Sequence, residues 1–384
     1  MLETPEQTQL RAAVSALGRK YGHQYYVQKA KSGGHTDELW AEAGKLGYLG
    51  VNIPTEYGGG GGGITELAIV EEELSAAGCG LLLIVVTPAI IGSILAKHGT
   101  AEQKQEFLPG IADGSHKIAF AITEPEAGSN FHRLGTIARR DGDDWILNGR
   151  KCFISGVDES RHVLVVARME DSVGGRLRPA LFLVPTDAPG LTKSMIEMEI
   201  VSPEKQWMLY LDEVRVPQSA LVGGSPDVGL PALFTGLNPE RILAAALAIG
   251  SARYALERAS TYAANRSVWG RPIGSHQGIA QALAHAQIQV ELARLMVSKA
   301  AALYDAGREL EAGVAANMAK YASAEAGVLA VDTAIQVHGG NGMTTEYGVA
   351  TLLGGARAAR IAPVSREMIL NFVAQHVLGQ QKSY

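Results

Sequence analysis

The chain has 384 residues, too many for one simple core, so two or three domains are expected. Hydrophobic residues make up 47% and charged residues 19%, and the net charge of −5 offers no basic footprint for nucleic acid. Two cysteines, Cys79 and Cys152, exclude a disulfide framework and a cysteine-rich metal site, so no metal is expected and a reducing compartment such as the cytoplasm suits the chain.

The N-terminus carries early acids and lacks the basic-then-apolar pattern of a secretory signal. The most apolar run, 81–91, contains Thr87 and Pro88 and falls short of the roughly 20 residues that cross a bilayer, so no membrane insertion is expected. Residues 1–115 read as an N-terminal helical domain. Leu39, Ala43, Leu46 and Leu49 recur at helical spacing, as do the apolar residues of 64–75. Six glycines, 58–63, must form a loop between these helices. A glycine loop before a helix can hold phosphate, but this one lacks the Lys-Ser/Thr of a P-loop, and the linker reading is favoured.

Residues 116–225 change texture. The segments 117–123, 144–147, 163–167, 180–184 and 208–211 read as strands separated by Gly, Asp and Pro, which makes a middle β domain. No strand–GxGxxG–helix unit occurs in it. Residues 226–384 are helical and alanine-rich over 241–262, 277–305, 311–338 and 364–378, the pattern of an antiparallel bundle. The expected fold is mostly α with a central β domain.

Seven segments share the order and texture of one family: IPTEYGG (53–59), HGTAEQKQEFLP (98–109), AITEPEAGSN (121–130), LNGRKCFIS (147–155), DEVRVP (212–217), RSVWGRPI (266–273) and QVHGGNG (336–342). Together they resemble the acyl-CoA dehydrogenases, whose fold is a helical bundle, a β-barrel layer and a four-helix bundle. The resemblance implies FAD as cofactor, an acyl-CoA substrate, electron-transferring flavoprotein or a similar acceptor, and a homo-oligomer built as a dimer of dimers. It places Phe120, Ile122 and Thr123 along the flavin ring, with Phe153 where the family has Trp and Ser155 where it has Thr. Trp269, Ser365 and Glu367 fall on further cofactor positions. Arg266, Gln277, Gln336, Gly339 and Gly340 fall on positions that bind the ADP half of a neighbouring subunit's FAD. His338, within that motif, reads as a packed histidine. Ser129, Asn238 and Arg241 fall on the substrate side.

The family keeps its catalytic glutamate either in a late Y-E-G-T or in an early L-x-x-E-R. The late segment here, IAPVSRE (361–367), puts Pro363 at the glutamate position. The early segment, GLNPER (236–241), supplies Glu240 as the candidate base, with Arg241 as a CoA-side partner. The bland reading is a first-turn acid behind a helix-starting proline. Proline at 363 also removes a backbone N–H that the family uses to hold the thioester carbonyl. Asn130, Asn238 and the segment 202–207 depart from the family pattern as well. The leading reading is α,β-dehydrogenation of an acyl-CoA. A flavin oxidase or monooxygenase, an acyl-carrier-protein or enoyl reductase, and a silent subunit of a hetero-oligomer are the alternatives.

Overall fold

The structure, a computed structural model, describes residues 3–169 and 178–382. The chain opens with α1 (Pro5–Ser32), whose first turn is closed by a Thr4–Gln7 capping box, and α2 (Asp37–Lys45). The helical spacing read over 39–49 runs past the real helix end. Leu46 is exposed, and Leu49 is buried in a short 3-10 turn.

Next come α3 (Ile64–Ala76), α4 (Leu82–His98) and α5 (Ala101–Ala112). Thr87 and Pro88 do not interrupt α4, because a π-type stretch at Val85–Gly92 takes up the proline. The GTAEQ segment is a capping box: Thr100 Oγ1 accepts from the Gln103 N–H at 3.2 Å, and Gln103 Oε1 accepts from the Thr100 N–H at 3.1 Å. The Gln103 amide also donates to the Ser219 and Leu221 carbonyls at 2.8 Å, which ties this helix to the exit of the β domain.

The glycine run is a loop, as expected, and its anion position is filled from within the chain. Asp305 accepts from the Ile64 and Thr65 N–H groups at 2.8 and 2.9 Å, so a carboxylate caps α3 where a phosphate would sit.

The middle layer is a curled seven-stranded sheet: β1 (Ile118–Ala121), β2 (Ile137–Asp141), β3 (Asp144–Ser155), β4 (His162–Met169), β5 (Pro179–Pro185), β6 (Leu191–Ile196) and β7 (Gln206–Pro217). Strand β4 pairs with β5 on one edge and with β1 and then β2 on the other; β3, β7 and β6 follow, and the outer strands β5 and β6 are not paired. Sequence reading missed β2 and β6. Both are largely exposed, so neither shows the buried alternation that marks a strand.

The last segment is α6 (Gly229–Asn265), α7 (Gln277–Asp305), α8 (Glu309–His338), α9 (Leu353–Ala358) and α10 (Arg366–His376). Helices of the first and last segments share one core, from Val14 and Leu39 through Ile90 to Leu243 and Ala330. Arg253 and Arg294 of the last segment meet Glu72 of the first across the same boundary, and Arg11 joins them from α1. The β layer has a separate core around Trp145, Leu147 and Phe182.

Candidate active site

One wall of the site is made by β1 and β3. Phe120 is buried at the end of β1, and Ile122 and Thr123 follow it half-buried. The Cys152 N–H donates to the Thr123 carbonyl at 2.9 Å, which sews the two segments together. Beneath them Lys151 is wholly buried. Its ammonium meets Glu124 at 2.8 Å and the Ile122 carbonyl at 3.0 Å. Burial draws the lysine down to about 8, although Glu124 favours its charge. Burial alone would raise the Glu124 carboxyl, but Lys151 and the amides of Gly135 and Thr136 leave it below its ordinary value.

Between Lys151 and Ile154 the β3–β7 register shifts, and Phe153 sits in this bulge at φ 57°. A side chain other than glycine rarely takes that backbone, and here it turns the ring outward: Phe153 is 57% exposed. Phe153 is therefore not a residue of the strand's core. Ser155, two residues on, shares hydrogen bonds with the Gln206 amide at 3.0 and 3.2 Å. Ser129 is exposed in the loop after the Glu124–Ala127 turn.

Helix α6 makes the opposing wall, and here the sequence reading needs correction. Glu240 is not a first-turn acid. The helix begins at Gly229, and Pro239 lies inside it. An internal proline leaves the carbonyl four residues back without its helical donor. The Tyr304 hydroxyl on α7 donates to that carbonyl, of Thr235, at 3.1 Å. Neighbouring contacts fix which way this part of α6 faces. Gly236 packs on Ile90 and Ile94, Leu247 packs on Gly80, and Gly156 packs on Leu83. Glu240, between Gly236 and Leu247, therefore faces the middle of α4, the helix that also supports the end of the Phe153–Ser155 strand.

Glu240 is half-buried, with enough protein around its carboxyl to weaken its hydration. Burial raises its pKa to about 7, against the opposing pull of Arg241 and Lys320. A base poised near neutrality is what proton abstraction requires. Arg241 folds back on its own helix, donating to the Leu237 carbonyl at 3.0 Å and to Asn238 Oδ1 at 3.3 Å. Its Nε is buried without a partner, a donor left available in the site.

The 361–366 loop borders this wall. Pro363 is half-buried and brings no carboxylate. The Lys320 ammonium, on α8, donates to the Val364 carbonyl. Among the described residues the Val364 and Ser365 N–H groups have no acceptor, while Ser365 Oγ caps α10 by accepting from the Met368 N–H at 3.3 Å. Glu367 is exposed on the first turn of α10.

The remaining candidates gather at the other end of the bundle. Tyr262 stacks on buried His338 at 4.3 Å, which joins the end of α6 to the end of α8 and shows His338 to be a packed residue. Around that joint lie exposed Arg266, Gln277, Gln336, Gly339 and Gly340, with Trp269 88% exposed at φ 51°. Gly339 has φ 59° and its N–H caps α8 by donating to the Gln336 carbonyl, and a Cβ on either Gly339 or Gly340 would meet nothing, so the backbone here is clear of side chains and a ligand can approach it closely. No carboxylate pairs with the Arg266 guanidinium among the described residues. Glu240 and Arg266 are separated along α6 by ~40 Å at 1.5 Å per residue. One chain thus holds two half-sites far apart.

These two half-sites fit FAD: an outward aromatic and two hydroxyls at one, an exposed guanidinium and glycine backbone clear of side chains at the other. Lys151, Tyr304 and Lys320 went unremarked in the sequence. A lone lysine among the alanines and glycines of 312–327 was the available signal for the last.

Comparison with known proteins agrees with this geometry. Residues 4–115, 119–210 and 227–378 match the family models of the acyl-CoA dehydrogenase N-terminal, middle and C-terminal domains. Over 383 residues the chain is 60% identical to acyl-CoA dehydrogenase fadE12 of Mycobacterium tuberculosis, covering 100% of this chain and 98% of the relative. A glutaryl-coenzyme A dehydrogenase in complex with glutaryl-CoA superposes with a TM-score of 0.93 at 29% identity, covering 100% of this chain and 98% of that one. A glutaryl-CoA dehydrogenase from Mycobacterium smegmatis in complex with FADH2 gives 0.90 at 27% identity, covering 100% and 97%.

Proposed function

The chain belongs to the acyl-CoA dehydrogenase family and catalyses FAD-dependent dehydrogenation of an acyl-CoA, and from that premise we propose that Glu240 is the base that takes the substrate α-proton. The observation that carries this is the Glu240 carboxyl on α6, next to Arg241 and in the field of the Lys320 ammonium that holds the 361–366 loop, where Pro363 supplies no carboxylate. FAD, when bound, supplies the acceptor for the β-hydride. Phe153 provides an apolar wall, and the Thr123 and Ser155 hydroxyls provide donors beside it. The unengaged N–H groups of Val364 and Ser365 stand next to Pro363 and supply the thioester donor it lacks. Lys320, bonded to the Val364 carbonyl, polarises the Val364–Ser365 peptide and strengthens that donor.

The two distant half-sites support a homo-oligomer, a dimer of dimers in which FAD lies between chains. Helix α7 carries an exposed apolar stripe, Ile288, Leu292 and Leu295, each at least 56% exposed, which a second copy would cover. Electron-transferring flavoprotein or a similar acceptor completes the cycle. The purified yellow protein should bleach anaerobically with one of a panel of acyl-CoAs. Bleaching only with oxygen uptake and peroxide release would make it an oxidase, and a colourless protein would make it a silent subunit.

A further inference from the structure

Lys320 is the only charged side chain on the buried face of α8 between Gly313 and Gly327, and it is 2% exposed. Helices α6 and α8 run in parallel register: a Cβ on Gly313 would touch Asn238, one on Gly327 would touch Ala248, and His338 stacks on Tyr262. Lys320 lies two turns after Gly313 and two turns before Gly327, so it shares their face and falls beside the Glu240–Arg241 turn. Its ammonium donates to the Val364 carbonyl, immediately past the proline that stands at the family's other base position.

The charged groups that surround this point come from four elements. Glu240 and Arg241 lie on α6, Glu325 on α8, Glu367 and Arg366 on α10, and Arg360 just after α9. Glu325 is already held by Arg360 at 2.7 Å and Arg366 at 3.5 Å. Arg241 is drawn back onto Leu237 and Asn238. Among the described residues Glu240 has no hydrogen-bonded cation of its own, and Lys320 has no hydrogen-bonded carboxylate, its ammonium going to the Val364 carbonyl.

Resting on the assignment of Glu240 as base, we propose that Lys320 is a positioning residue for the dehydrogenation, fixing the Pro363–Ser365 loop to α8 and keeping the Glu240 carboxylate charged. The electrostatics are consistent with this role. Burial and then Arg241 lower Lys320 to about 8, while Glu240, Glu367 and Glu325 hold its charge. Lys320 in turn opposes the burial that raises Glu240 to about 7. Removing the ammonium lets burial act with less opposition, so Glu240 stays protonated to higher pH.

The test compares Lys320→Met and Lys320→Arg as FAD-loaded enzymes. Anaerobic flavin reduction is followed against pH, and the Glu240 carboxyl is titrated by infrared difference, its band identified by its loss in Glu240→Gln. The acid limb and the carboxyl midpoint should both move up by about one pH unit in the Met variant, a ~10-fold loss on that limb. The Arg variant should restore both towards the parent. A folded, FAD-loaded Met variant with limb and midpoint at the parental pH overturns the proposal. If the Met variant does not fold, Lys320→Gln carries the same comparison. Undiminished reduction by Glu240→Gln would instead strike at the base assignment itself.

Discussion

The β1–β3 wall and the helical wall of the site are built in opposite ways. On the β wall the functional groups lie within one short stretch of chain, and the backbone aims them: a bulge at Phe153, a buried Lys151–Glu124 pair, and an N–H from Cys152 to Thr123. On the helical wall the groups come from residues 240, 304, 320 and 364, and only packing brings them together. Geometry on the first wall is held locally. Electrostatics on the second is held by distant helices.

Breaking each wall should therefore fail differently. The largest expected effect is on the helical wall. Glu240→Gln keeps size and packing but cannot accept a proton, so substrate-driven flavin reduction should drop by ~10²–10⁴-fold with FAD content and thermal stability unchanged. In the parent the same rate should rise as pH climbs through about 7, because the folded-state carboxyl is raised and must lose its proton to act. A parental rate in stopped-flow measurements would remove the base from α6.

Lys151→Met should fail the other way. It strands the Glu124 carboxylate in a closed setting, which typically costs about 3–5 kcal/mol. Denaturant unfolding and FAD retention should both suffer, and the pH limb should stay where it is. A stable, flavin-replete Met variant would mean the β wall does not depend on its buried pair.

The smallest effect is expected from Ser155→Ala, which removes one hydroxyl bonded to Gln206. The loss is about 0.5–1.5 kcal/mol, read as a modest change in flavin spectrum and reduction rate. An identical spectrum and rate would leave Ser155 as a strand-packing residue only.

The same contrast explains what the sequence disclosed. The β wall was legible because each of its two parts, TEP and LNGRKCFIS, is an unbroken run of chain, although the outward turn of Phe153 rests on a positive φ that no propensity announces. Glu240 was legible as the ER pair, but its place within α6 was not. Pro239 reads as a helix start, and only the Tyr304 hydroxyl on the Thr235 carbonyl shows how a helix runs through it. Lys320 was illegible in role because its partners lie on other helices. Strands β2 and β6 were missed because they do not alternate buried and exposed residues.

The central claim is that a carboxylate on α6, not one in the 361–366 loop, removes the α-proton. Its most direct measurement is α-deuterium incorporation into acyl-CoA recovered from anaerobic enzyme in D2O, for the parent and for Glu240→Gln. The parent should exchange the α-hydrogen, and the Gln variant, still holding FAD, should exchange it at least ~10²-fold more slowly. Exchange by the Gln variant at the parental rate would contradict the account.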